Sequence, residues 1–250
     1  MVDYNDVNNS RYNKIHYENV EDNIYSAVNP IGNYSMYAGY KAARWFVQVG
    51  GKLLKKKIHD LSILDVGCGD GHITRIFVTL LNNADNVYGF DYSENNVNLC
   101  KSLNSSMVFE KGNVVEKIPF DRKFDMVSAF VVLSHLRKKE DVEKALMNIN
   151  NALNENGLFL WYELVSKSHY INPDKDTQGF NEKELRELSE GAGFEEVARK
   201  TFSKTIWIGN RSRSLYYSAK ENNIWFLELL SHILPLKPTI TIRIYKKVSC

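Results

Sequence analysis

Three glycines and two aspartates are the residues of this chain whose types and spacing can do chemistry. Gly67-Cys68-Gly69-Asp70-Gly71 follows the apolar run Ile63-Leu64-Asp65-Val66 and precedes a stretch of helical periodicity. Glycines at alternate positions let the backbone turn sharply and approach a ligand where any Cβ would collide. The helix behind them offers unpaired N–H groups. Asp91 stands 20 residues beyond Gly71, at the end of a second apolar run. A carboxylate there can accept hydrogen bonds from both hydroxyls of a ribose. The pattern is G-x-G-x-G, with His72 next, and not the G-x-G-x-x-G of dinucleotide-binding folds.

Further blocks follow in order: Gly89-Phe90-Asp91-Tyr92-Ser93, Phe124-Asp125-Met126-Val127, Leu133-Ser134-His135-Leu136 and Gly191-Ala192-Gly193-Phe194. With the glycine loop they make the sequence resemble the class I (Rossmann-like) S-adenosylmethionine-dependent methyltransferases, of small-molecule or sugar type, over roughly residues 60–200. The resemblance implies S-adenosyl-L-methionine as cofactor, S-adenosyl-L-homocysteine as product, and no metal. It implies that Asp65 and the backbone of Gly67, Cys68, Gly69, Asp70 and Gly71 line the methionine moiety. Asp91 would hold the ribose and Tyr92 flank the adenine, with Asn113 and Val114 touching the adenine edge and face. Many relatives carry Asp where Asn113 stands; Asn keeps an acceptor oxygen. Ala129 and Phe130 would face the amino group or the methyl end. Cys68 reads as a small loop residue without a redox or nucleophilic role.

The methyl group of a sulfonium is already electrophilic, so much of the acceleration can come from holding nucleophile, methyl and sulfur in line. A protein base is needed only where the acceptor must lose a proton, as a hydroxyl does. His135, just past the fourth expected strand, is the first candidate for that base. His169 and Tyr170, after the fifth strand, are its rivals, and Glu163 at that strand's end reads equally as a structural carboxylate. For the acceptor, Tyr34, Tyr37, Tyr40 and Trp45 cluster near the N-terminus; Trp45 reads as packing, and Tyr37 and Tyr40 as candidate substrate contacts. Arg211, Arg213 and Tyr216, within Trp207–Tyr217, are further candidates, the arginines suiting a phosphate or carboxylate. The expected activity is O-methylation of a small metabolite or a sugar unit of a glycan or glycosylated product. The alternatives are N-methylation of an amino sugar or small amine, and a non-catalytic cofactor-binding partner. A nucleic-acid acceptor is not expected: Ser128-Ala129-Phe130-Val131 lacks the D/N/S-P-P-Y/F motif of base-amine enzymes, and no Pro-Cys pair offers a cytosine nucleophile.

The elements that must position these residues alternate. Strands are expected over Ser62–Val66, Asn86–Phe90, Met107–Glu110, Phe124–Phe130 and Leu158–Leu164. Helices are expected over His72–Leu81, Glu94–Leu103 and Glu140–Leu153. A mainly parallel sheet follows from that alternation. Asn181 caps a helix over Glu182–Gly191, Phe194–Lys200 forms a sixth strand, and Thr239–Val248 alternates as the last. Residues Met36–Leu54 are helical, after a turn marked by Pro30 and Gly32, and Lys55-Lys56-Lys57 closes them as a solvated end. The expected fold is α/β: a seven-stranded, mainly parallel sheet with helices on both faces, an antiparallel last strand and an N-terminal helical cap. One domain over residues 1–250 is expected, divided into the cap (1–58), the cofactor core (59–165) and a C-terminal completion carrying the specificity insert (166–250). Ile224–Leu234 is apolar around most of its circumference; burial is favoured over dimerisation or peripheral contact with a lipid-linked substrate, and monomer or homodimer both fit. A net charge of +2, 25% charged residues and only three cysteines in 250 residues suit a cytoplasmic globular protein rather than a nucleic-acid binder or a disulfide scaffold.

Overall fold

The computed structural model describes residues 30–165, 170–172, 177–203 and 240–248. The chain divides into two compact units, Met1–Tyr40 with Ser203–Thr239, and Lys41–Phe202 with Ile240–Cys250. The second contains the sheet. Helix α1, Pro30–Leu54, leads into a short 3₁₀ turn, Ile58–Asp60. The alternation then runs β1 Ile63–Val66, α2 His72–Leu81, β2 Val87–Asp91, α3 Glu94–Leu103, β3 Val108–Lys111 and β4 Phe124–Phe130. After a 3₁₀ turn at Leu133–His135 come α4 Lys139–Ala152, β5 Leu153–Leu164, the small hairpin β6 Tyr170–Asn172 and β7 Thr177–Gly179, α5 Glu182–Gly191, β8 Phe194–Ser203 and β9 Ile240–Lys247.

The main sheet has seven strands in the order β3-β2-β1-β4-β5-β9-β8. β1 pairs in parallel with β2 and with β4, β3 with β2, and β5 with β4. β9 runs antiparallel to β5, from Leu158↔Lys246 to Leu164↔Ile240. The expected fold class is therefore present. Order reverses at β1, whose neighbours β2 and β4 diverge from it, and ligands of open α/β sheets bind at the carboxyl end of such a switch point.

Alternation along the strands builds two layers. Leu64, Val66, Phe90, Val127, Ala129, Phe159 and Trp161 share one apolar cluster with Val142, Ala145, Leu146 and Ile149 of α4 and Leu185 and Leu188 of α5. On α1, Phe46 meets Phe77 of α2 edge-on at 6.4 Å, and Phe77 meets Phe130 of β4 at the same distance. At the amino end of the sheet Asp125 acts as a hub. It accepts from Ser62 N (3.1 Å), Ser62 Oγ (3.2 Å), Asn154 Nδ2 (3.0 Å) and Lys56 Nζ (2.7 Å). Burial works against ionisation there, and these donors outweigh it, holding the carboxyl below its ordinary range.

Two sequence expectations are corrected, and one element was not foreseen. Pro30 opens α1 and Gly32 lies inside it, because proline suits the first turn, where its missing N–H has no partner to lose. β5 begins at Leu153 and runs through Asn156 and Gly157, with a register shift between Phe124 and Met126 of its partner and Asn156 at φ 62°. The Asn-Gly pair thus marks a bulge inside a strand that starts five residues earlier than the expected Leu158. The hairpin β6–β7 carries no sequence signal strong enough to have been read.

Candidate active site

The site grows from the carboxyl ends of β1, β2 and β4. Gly67, Gly69 and Gly71 stand at φ 63°, 56° and 78°, the left-handed region that glycine enters without strain. A Cβ on Gly67 would lie 2.6 Å from Val132 Cγ2, so the loop and the segment after β4 are in direct contact. Cys68 N donates to Phe90 O (3.0 Å) and Gly69 N donates to an Asp91 oxygen (2.9 Å). Asp91's other oxygen accepts from Ser93 N (2.8 Å) and Asn96 Nδ2 (3.2 Å). Loop and carboxylate are one hydrogen-bonded unit. Three acceptor directions of Asp91 are used out of roughly four that a carboxylate has. Burial raises its pKa, while the donors and the charge of His135 pull it back.

Asp65 is buried at 1% exposure. Its oxygens accept from Thr74 Oγ1 (2.7 Å) on α2 and Ser128 Oγ (2.9 Å) on β4. Burial pushes its pKa up to about 7, with the two hydroxyls opposing and the Asp91 charge adding to the rise. Hydroxyls cannot neutralise a charge, so burial prevails and holds this carboxyl well above the usual carboxylate range. Asp70 is exposed and caps the loop–helix junction by accepting from His72 N (2.9 Å). His72 Nε2 is buried without a hydrogen-bond partner among the described residues, and burial lowers the ring's pKa.

The remaining residues named from sequence fall at differing depths. Tyr92 is 42% exposed beside Asp91. Asn113 spends its amide on its own turn: Oδ1 accepts from Val115 N (3.0 Å) and Nδ2 donates to Glu116 (3.1 Å). Val114's side chain is in the core and its carbonyl accepts from Asn148 Nδ2 (2.8 Å). Ala129 is fully buried, whereas Phe130 is half-buried at the strand end, stacked on Tyr162 at 5.0 Å. Val131 follows at φ 56°, an uncommon conformation for a β-branched residue, held by a bond from its N to Tyr162 O (2.9 Å). His135 is exposed at the end of the 3₁₀ turn that begins there. Glu163 is buried and accepts from Ser134 N (3.1 Å), so it anchors that turn. Tyr37 and Tyr40 are exposed on α1. His169, Arg211, Arg213, Tyr216 and the Ile224–Leu234 segment lie outside the described residues.

Sequence reading missed Thr74, Ser128, Asn96 and Cys100, all partners of the loop or its acids. Ser93 and Asn96 carried a local signal, since Ser93 caps α3 by accepting from Asn96 N. Among the described residues no group of His, Cys, Asp and Glu is arranged to hold a metal ion, and no helix is long and apolar enough to cross a membrane.

Residues 63–157 match the family model described as a methyltransferase domain. The fold is that of the class I methyltransferases, and this segment is similar in sequence to a methyltransferase domain. A probable methyltransferase, ltbC of Aspergillus luteorubrus, is 29% identical over 119 residues, covering 43% of this chain and 41% of that protein. The chain thus spans about two fifths of the length of that curated relative. Among solved structures, magnesium protoporphyrin IX methyltransferase from Synechocystis PCC 6803 with bound S-adenosylmethionine superposes with a TM-score of 0.61, at 14% identity over 98% of this chain and 93% of that one. A putative sarcosine dimethylglycine methyltransferase from Galdieria sulphuraria gives 0.61 at 16% identity, over 98% and 99%.

Proposed function

We propose that the protein transfers a methyl group from S-adenosyl-L-methionine to a hydroxyl of a small metabolite or of a sugar unit in a glycan or glycosylated product. The observation that carries the cofactor assignment is the Asp91–Gly69 unit, a ribose-competent carboxylate hydrogen-bonded to a glycine cradle inside the methyltransferase-domain match. The cradle suits this cofactor in charge as well as shape. Asp65 and Asp91 are both raised by burial; Asp65 meets only the hydroxyls of Thr74 and Ser128, and the charge of His135 offsets the rise at Asp91 only in part. A ligand carrying a sulfonium and an ammonium group supplies the missing positive charge. When bound, the cofactor supplies the electrophilic methyl. The chain's own residues then orient and exclude water: the loop backbone holds the methionine part, Asp91 the ribose, Tyr92 and Asn113 the adenine side.

For a hydroxyl acceptor, His135 is the proposed proton acceptor. It is exposed at the carboxyl end of the sheet on a turn anchored by Glu163, and its charge is felt by Asp91. Tyr37, Tyr40, Arg211, Arg213 and Tyr216 are proposed acceptor contacts, with His169 a second candidate base. The amine reading draws its support from the Galdieria relative's name alone. Calorimetric titration with S-adenosyl-L-homocysteine tests the cofactor reading, and one-to-one saturable binding is expected. Absence of binding overturns it. Methyl-labelled cofactor with fractionated cell extract then separates ether from amine products, and total absence of transfer despite binding would make the protein a non-catalytic binder. If His135→Ala keeps kcat within about threefold of wild type, His135 is not the base.

A further inference from the structure

Cys68 in the glycine loop and Cys100 on α3 are distant in the chain and adjacent in the fold. Both thiols approach one carbonyl, Cys100 Sγ at 3.2 Å and Cys68 Sγ at 4.0 Å from Gly69 O. They belong to one small buried cluster with Val97 and Phe109. A Cβ on Gly71 would come within 3.0 Å of Cys100 Sγ, so α3 presses on the loop at this point. Gly69, the residue whose carbonyl both thiols approach, is also the one whose N–H holds Asp91.

We infer that Cys68 and Cys100 form an oxidisable dithiol beneath the glycine loop, converted to a disulfide by a peroxide, and that this modification weakens cofactor binding. Cys68, 7% exposed, is the sulfur a small oxidant meets first, since Cys100 is fully buried. Its thiolate attacks one oxygen of hydrogen peroxide; the O–O bond breaks and hydroxide leaves, protonated to water. Cys100 sulfur then attacks the resulting sulfenic acid, forming the S–S bond, breaking the S–O bond and releasing a second water. Each sulfur loses one electron and the peroxide gains two. A disulfide brings the sulfurs to about 2.05 Å, closer than any hydrogen-bonded pair. The loop must therefore shift toward α3, and Gly69 O loses both thiol donors. Because the neighbouring Cys100 and burial push the Cys68 thiol up, the reaction accelerates as pH rises.

The consequence for the cofactor rests on the reading above; the disulfide does not. The test uses the full chain carrying Cys250→Ser, which leaves only this pair. It is treated with hydrogen peroxide at about pH 7 and about pH 9, either side of the ordinary thiol range. Unreduced peptide mapping is then combined with S-adenosyl-L-homocysteine calorimetry. The Cys68 and Cys100 peptides are expected joined, with two hydrogens lost, and faster at the higher pH. Affinity is expected to fall about tenfold or more and to return with dithiothreitol. Cys100→Ser should give no cross-link, its Cys68 oxidation stopping at the sulfenic acid. No cross-link overturns the inference, as does a complete cross-link with unchanged affinity. Failure of the reduced protein to bind overturns the cofactor reading instead, and the peptide map decides the dithiol by itself.

Discussion

Asp65 and Arg243 are buried to the same degree, 1% and 2% exposed, and their charges are met in opposite ways. On β9, Arg243 NH2 bonds Glu182 at 2.5 Å and its Nε lies 3.4 Å from Glu196. Arg199 on β8 grips the same two acids, Glu196 through two nitrogens at 2.8 and 3.0 Å and Glu182 at 3.0 Å. On β1, Asp65 receives two neutral hydroxyls and nothing cationic among the described residues. The antiparallel edge neutralises its buried charge internally. The parallel half leaves its own uncompensated beside a glycine cradle. Charge already paired inside the chain serves stability; charge left over is what a cationic ligand can use.

Gly67→Ala attacks the cradle directly, with a Cβ 2.6 Å from Val132 and φ at 63°. The combined overlap and strain should cost up to about 5 kcal/mol and abolish S-adenosyl-L-homocysteine binding. Calorimetry and thermal melts read both effects, and adding Val132→Ala should recover part of the stability.

Asp65→Asn comes next and depends on pH. The carboxyl titrates at 3.8 unfolded and about 7 folded, so its stability contribution is full below pH 3.8 and is lost as pH rises toward 7. The amide removes that loss. Its advantage over wild type should grow from near zero at about pH 4 to as much as about 4 kcal/mol at about pH 8, while cofactor affinity falls. Equal melting temperatures of the two proteins across that range would show that Asp65 is not the uncompensated charge described here.

On the other edge, removing both Glu182 and Glu196 strands a buried guanidinium. The double alanine variant should lose about 3 kcal/mol in denaturant unfolding and leave S-adenosyl-L-homocysteine affinity unchanged. A change in affinity would mean that the two halves are coupled. Asp91→Ala strikes both properties: about 2 kcal/mol, or roughly thirtyfold, lost in cofactor binding, and a lower melting temperature because Gly69 N, Ser93 N and Asn96 Nδ2 lose their acceptor.

The local elements were the legible part. α2, α3, β4 and α5 have the bounds expected from periodicity, and α5 has the expected cap, Asn181 accepting from Glu184 N while Glu184 bonds back to Asn181 N. The glycine loop and Asp91 were legible because their signals lie within one strand–loop–helix–strand unit. Thr74 and Ser128 were not, because their role comes from pairing β1 with β4 and packing α2 against β1, and nothing in sequence spacing encodes those distances. The place of Cys100 against the loop escaped for the same reason. The turn that Asn113's amide closes was not read either, though Asn commonly makes such turns.

The order β5-β9-β8 carries a consequence for synthesis. β9 is made after β5 and β8 and inserts between them, so until residue 247 has emerged both strands present open edges. Their unpaired N–H and C=O groups can recruit another chain in that interval. Residues 63–152, by contrast, hold four mutually paired parallel strands and can assemble as they emerge. The glycine cradle is thus available early in the life of the chain, and insertion of β9 closes the edges of β5 and β8.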